Sequence, residues 1–292
     1  MAEDCFGIAI ATVRGDLHAI GDVDVPHTIQ SSSKALTFCL ALELAGEDHV
    51  RKFVGYEPSG DPFNAIVFDP ATNRPYNPMV NAGAIAVAGI LAEHLGADAF
   101  DFVLDRFSAA AGRQLSLNGA VFRSEAETGY RNRAIAYLLK ANDALKVDPD
   151  AALDLYFRQC SIDVTAADMA WIGATLANMG KNPVTGRVTF DLHSVRNTLS
   201  LMLTCGMYDY AGRWAFDVGV PAKSGVGGSI LGIVNRQLGI ATYSPRLDLQ
   251  GNSVRGVEAF RHLADEFGLH AFDCTNTGSA IVSTLVRRVA AG

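Results

Sequence analysis

Three serines run into one lysine in the stretch IQSSSKALTFCLALE, Ile29 to Glu43. On a helix, residues three apart share a face. Only Ser31 therefore has Lys34 one turn away, while Ser32 and Ser33 point elsewhere. S-x-x-K is a spacing by which a lysine amine can take the proton of a serine hydroxyl and make it a nucleophile. The amine must be neutral to do so. Its pKa has to fall from about 10.4 toward 7, roughly 3 units or 4 kcal/mol, and burial alone can supply that much. Ala35, Leu36, Phe38, Cys39, Leu40, Ala41 and Leu42 make the helix apolar nearly all round, so its first turn is expected to be buried. The free N–H groups of a helix start would also face a developing oxyanion. Alone the pattern is weak, since this serine and lysine content yields S-x-x-K by chance about one time in three. A second pattern strengthens it. PAKSGVGGSI places Lys223-Ser224-Gly225 at the start of a β-rich segment. A strand here would lie beside the nucleophile, and Gly225, Gly227 and Gly228 would let backbone N–H groups approach a reacting carbonyl. A bulge or hairpin turn is the plainer use of those glycines.

The elements around these residues follow from periodicity. Phe6 to Asp22 reads as a strand, a tight turn at Arg14-Gly15-Asp16 and a second strand. The pattern turns helical from Ser31, and about Arg51 to Ser200 is mainly helical, broken by loops such as EPSGDPFN and GKNPVTG. Near Pro221 short antiparallel strands return in PAKSG, SILGIVN and LGIATYSP, and Asn252 to Leu269 is an amphipathic helix. Strands at both ends can share one sheet only if the helical middle is an insertion. The chain has 292 residues, 49% hydrophobic and 19% charged, with a formal net charge of -7. That is ordinary globular composition, and without a basic block nucleic acid and anionic membrane are poor partners. The acidic start MAEDCFGIAI does not resemble a secretory signal. The apolar run Ala82 to Ala92 is too short to span a bilayer. Cys5, Cys39, Cys160, Cys205 and Cys274 are scattered and read as reduced thiols of a cytoplasmic protein. The seven histidines form no short-range ligand pair, so no metal site is expected.

S-x-x-K followed much later by K-[ST]-G is similar to the order in penicillin-recognising serine hydrolases. The remaining motifs are more specific. EPSGDPFN (Glu57 to Asn64), NPMVNAGAI (Asn77 to Ile85), SEAETGYRN (Ser124 to Asn132), YFRQCSI (Tyr156 to Ile162), MLTCGMYDYAG (Met202 to Gly212) and AKSGVGG (Ala222 to Gly228) resemble, in order, the blocks of the serine-dependent glutaminases. The resemblance runs from about Phe6 to Asp273. It implies an α+β, β-lactamase/transpeptidase-like fold, with an antiparallel sheet from N- and C-terminal segments and an inserted helical lobe. That is one domain over 1–292, with a sheet lobe at about 1–50 and 201–292 and a helical lobe at about 51–200. It also implies hydrolysis of L-glutamine to L-glutamate and ammonia, without metal or organic cofactor, by a chain that assembles into a dimer or tetramer.

Matching positions carry the family's roles. Ser31 is the nucleophile, Lys34 its base, and Tyr156 and Tyr208 line the site. Asn81, Glu125, Asn132 and the Val226 backbone match substrate-binding positions, with Lys223, Ser224 and Gly225 in support. The chemistry agrees: the Glu125 carboxylate suits the substrate ammonium, Asn132 and Tyr208 suit its α-carboxylate, and the N–H groups of Ser31 and Val226 suit the amide oxygen. Arg131, Arg133 and Glu127 read as surface or structural ions. Family members generally begin with a further segment carrying Tyr-Ile-Pro, whose tyrosine reaches the active site. The sequence as given enters its first strand at about Phe6, so the resemblance implies a pocket with one open wall and weak turnover unless another chain covers the gap or the natural start lies upstream. Two rivals stand beside a glutaminase: another serine hydrolase of the same fold, for which Tyr130-Arg131-Asn132 spells Y-x-N by accident, and a catalytically weak glutamine-binding homologue.

Overall fold

A computed structural model of the chain describes residues 3–273; Cys274 lies outside the described residues. In chain order the elements are β1 (Gly7–Thr12), β2 (Leu17–Gly21), β3 (His27–Thr28), α1 (Ser33–Ala45), α2 (Glu47–Val50), α3 (Asn81–Leu95), α4 (Ala99–Ala111), β4 (Ser116–Leu117), α5 (Gly119–Thr128), α6 (Tyr130–Ala141), α7 (Pro149–Cys160), β5 (Ile162–Val164), α8 (Ala166–Ala177), α9 (Leu192–Cys205), α10 (Ala211–Asp217), β6 (Ala222–Gly225), β7 (Ser229–Val234), β8 (Leu238–Tyr243) and α11 (Val254–Phe267).

Five strands make one antiparallel sheet in the order β2-β1-β8-β7-β6, so the N-terminal hairpin and the later three-stranded meander do join. The fold is of the expected α+β class. Alternation in GIAIAT buries every second residue of β1, while β7 is buried throughout because helices cover both faces of the sheet. On one face α8 packs so closely that a Cβ on Gly239 would lie 2.3 Å from the Ala174 nitrogen. On the other, Phe260 of α11 sits in the space that a Cβ on Gly232 would need, within a cluster that includes Trp214, Ile230 and Ile240.

Between Arg51 and Ser200 the structure is mainly helical, but its first helix there begins only at Asn81, and β4 and β5 interrupt the rest. Two- and three-residue strands form a second sheet, β3-β5-β4, too short to leave any periodic trace in the sequence. The helices also run longer than the apolar stretch within them. Asn81–Ala111, counting a 3-10 turn at Gly96–Asp98, is the one stretch among the described residues with the length and hydropathy of a membrane span. More than half of its most apolar window is buried inside the protein, and α3 packs on α1 and α7. The central element is α1. Every residue from Ser33 to Leu42 is buried, as expected for a helix apolar on all sides. Cys5, Cys39, Cys160 and Cys205 are free thiols.

Candidate active site

The backbone reaches α1 through a constrained corner. Gln30 has φ 48°, in the left-handed region, and Gln30–Ser32 form a 3-10 turn before the α-helix starts at Ser33. The three serines then diverge. The Ser32 hydroxyl donates to the Lys223 carbonyl (3.4 Å), and the Ser33 hydroxyl donates to the Gln30 carbonyl (2.7 Å). Ser31 alone turns its side chain to Tyr208, with which it is in hydrogen-bonding contact, and it keeps 6% of its surface exposed.

Lys34 is completely buried, and burial pushes its amine down to about 8. Its Nζ donates to Asn81 Oδ1 (2.5 Å) and more distantly to the Met79 carbonyl (3.5 Å), not to Ser31. A loose base–nucleophile geometry without substrate is common and tightens on binding. The Nζ also lies 5.9 Å from the Phe63 ring and 6.0 Å from the Tyr156 ring. Asn81 Nδ2 donates in turn to Asn132 Oδ1 (3.0 Å). Asn81 is the first residue of α3 and makes no side-chain cap, so its amide is spent on the site rather than on the helix end.

The strand β6 lies against this corner. A Cβ on Gly225 would meet the Ile29 carbonyl and the Ser32 hydroxyl at 3.2 Å, which is why backbone approaches backbone here. Lys223 is fully buried, and burial, then the nearby Lys34, hold its amine well below the ordinary lysine range. It donates to the carbonyls of Gly206 (3.0 Å) and Ser224 (2.6 Å) and lies 4.2 Å from the centre of the Tyr208 ring. Tyr208 has φ 58° and donates its hydroxyl to the Ser224 carbonyl (2.9 Å). Burial raises the phenols of both Tyr208 and Tyr156, so both are neutral donors at physiological pH. Val226 sits in the turn between β6 and β7 that the Gly228 N–H closes onto the Gly225 carbonyl.

Glu125, on α5, is half-buried, and burial raises its carboxyl. It has no ion-pair partner among the described residues, yet it is near enough for its charge to act on Tyr156 and Cys160. Ser31, Lys34, Asn81, Asn132, Tyr156, Tyr208 and β6 thus meet at one place, with Glu125 close enough for its charge to reach Tyr156. Tyr130 does not join them: it is 75% exposed, so Y-x-N is not a site motif here. Arg131 donates to the Asn64 carbonyl, and Arg133 reaches Asp150 (3.2 Å). Three contributors were not singled out from sequence. Phe63 packs on Tyr208 (4.6 Å between centres), the Met79 carbonyl faces Lys34, and Cys160 borders Ser33 and Tyr156. All three lie inside motifs already quoted; loop backbone and ring placement leave no spacing signal.

Known proteins resemble the chain over most of its length. A family model described as Glutaminase matches residues 1–272. The chain is 51% identical to Glutaminase 1 of Bradyrhizobium diazoefficiens over 91% of its length, but that relative is longer and the chain spans only 43% of it. It is 48% identical to a glutaminase of Microcystis aeruginosa, over 93% of this chain and 80% of the relative. The crystal structure of a probable glutaminase of Bacillus subtilis superposes with a TM-score of 0.88 at 36% identity, over 92% of this chain and 90% of that one.

Proposed function

The chain belongs to the glutaminase family, and from that premise we propose that it hydrolyses L-glutamine to L-glutamate and ammonia through an acyl-enzyme on Ser31. The observation that carries this reading is the fully buried Lys34, one helical turn from Ser31, with an amine near 8. A base works best with its pKa near the operating pH. Neutral Lys34 takes the Ser31 proton as Oγ attacks the side-chain amide carbon. The oxygen that becomes negative is received by the N–H groups of Ser31 and Val226. The proton passes to the amide nitrogen, ammonia leaves, and an ester remains on Ser31. Water, deprotonated by the same lysine, then attacks the ester and releases glutamate. Tyr208, in contact with Ser31, and Tyr156, beside Lys34, line this proton route as neutral phenols. Glu125, half-buried and without an ion-pair partner among the described residues, receives the substrate ammonium, while Asn132 and Asn81 orient its polar groups. Lys223, Ser224 and Gly225 act behind Tyr208 rather than on substrate. Assembly into a dimer or tetramer and a cytoplasmic location go with this reading; light scattering and cell fractionation test them.

The deciding experiment is ammonia release from L-glutamine by the wild type and by Ser31→Ala, Ser32→Ala and Ser33→Ala, with L-asparagine alongside. Ser31→Ala should lose at least about 10⁴-fold in kcat with an unchanged circular dichroism spectrum. Retained activity in Ser31→Ala, or no ammonia from the wild type, would sink the proposal.

A further inference from the structure

Away from the active site, two segments far apart in the sequence bring three metal-ligand side chains together. His49 is on α2, and Glu93 and His94 are consecutive in the last turn of α3. One ligand atom from each of the three lies within 4.8 Å of the others. We propose that His49, Glu93 and His94 form a binding site for a single divalent transition-metal ion of the zinc type, with water completing its coordination.

Three features carry this beyond proximity. First, His49 Nε2 is sealed from solvent and has no hydrogen-bond partner among the described residues, so a strong ligand atom stands without an ordinary role. Glu93 Oε2 lies 3.8 Å from it, too long for a hydrogen bond. Two ligands on one tetrahedral zinc, each about 2.0 Å from the ion, lie about 3.3 Å apart, so a small inward shift suffices. Second, His94 Nδ1 lies 2.9 Å from the Ile90 carbonyl. A carbonyl only accepts, so Nδ1 carries a proton, and Nε2 is the nitrogen left to offer a lone pair to a metal. That is the outer hydrogen bond by which metal-binding histidines have tautomer and orientation fixed. Third, the two imidazoles meet edge to face, 5.4 Å between centres at 87°, and Phe53 props the His49 ring from the side at 5.1 Å. Two rings held with their planes crossed can each aim a nitrogen at one point.

The donor set chooses the ion. Two imidazoles and one carboxylate suit zinc and its neighbours in the transition series, and they suit calcium or magnesium poorly. Short-range ligand spacing in the sequence does not reveal the site, because its histidines come from different helices. Bound metal would clip the short α2 to the end of α3. The site shares no residue with the Ser31 pocket, so the reading stands or falls independently of the proposed activity.

The test is zinc binding to the full chain, freed of metal by a chelator and measured by equilibrium dialysis. The wild type should bind one equivalent. His94→Ala and Glu93→Gln, both at exposed positions, should weaken binding at least about tenfold, whereas His193→Ala, an exposed histidine elsewhere, should not. At zinc a hundred times the dissociation constant, the wild-type Tm should rise by roughly 5–10 °C, and the rise should vanish in His94→Ala. Because His94 is exposed, that variant keeps its fold. Equal zinc affinity in the wild type and His94→Ala, or no binding by the wild type at micromolar zinc, would overturn the proposal.

Discussion

Lys34 holds its amine where no water reaches it, and its pKa falls from 10.5 to about 8. That is useful for chemistry and costly for folding. Between about pH 8 and 10.5 the unfolded chain holds a proton on this lysine that the folded chain has released, so stability rises with pH across that window. Below pH 8 the whole cost is present, about 3 kcal/mol at 1.36 kcal/mol per unit. Lys34→Met removes the buried charge, keeps the volume and takes the donor from Asn81 Oδ1, while Asn81 Nδ2 keeps its bond to Asn132. The variant should be inactive yet more stable than the wild type at pH 7 by roughly 1–2 kcal/mol, and the advantage should shrink as pH approaches 10. Urea unfolding at the two pH values checks both signs, and a variant less stable at pH 7 would show that the buried amine is stabilised in some other way.

At the scale of elements, the site depends on how closely β6 lies against the end of α9. Gly206 follows α9 directly, and a Cβ on it would stand 1.8 Å from the Ala222 carbonyl. Its own carbonyl accepts from the Ser224 N–H and from Lys223. Gly206→Ala must push β6 away and with it the support of Tyr208. A loss of at least about 2 kcal/mol in stability and a clear fall in kcat are expected, whereas Gly212→Ala, with open space around it, should change stability by less than about 0.5 kcal/mol. Equal effects from the two substitutions would show that β6 is free to shift. The long elements were legible from sequence for physical reasons. β1 alternates, β7 and β8 are branched apolar runs bounded by turns, and α1 is oily on every side. β3, β4 and β5 were not, because two or three residues hold no period. In the site, Ser31 and Lys34 show by spacing and Asn81 by its motif. Phe63 acts from a loop whose course is set by contacts with distant residues, which no local pattern encodes.

At the scale of the whole molecule, His27 joins the two sheets. It belongs to β3 in the small sheet and stacks on Tyr243 of β8 in the large one, 4.0 Å between centres and 12° from parallel. Burial pushes its pKa from 6.5 down to about 4. As pH falls from 6.5 to 4, the unfolded chain gains a proton that the folded chain refuses, so stability drops, by up to about 3 kcal/mol. His27→Phe should flatten that acid limb between pH 7 and 4.5 in urea titrations, and an unchanged slope would assign the limb to other groups. The bridge through Asn81 has a consequence of a different kind. One amide touches Lys34 on α1 and Asn132 on α6 while being anchored at the start of α3. Three helices therefore share a single point of alignment. On the proposed mechanism, play of about a tenth of a nanometre between any two of them would swing the amine away from Ser31, and the clearance between helices would then throttle the nucleophile.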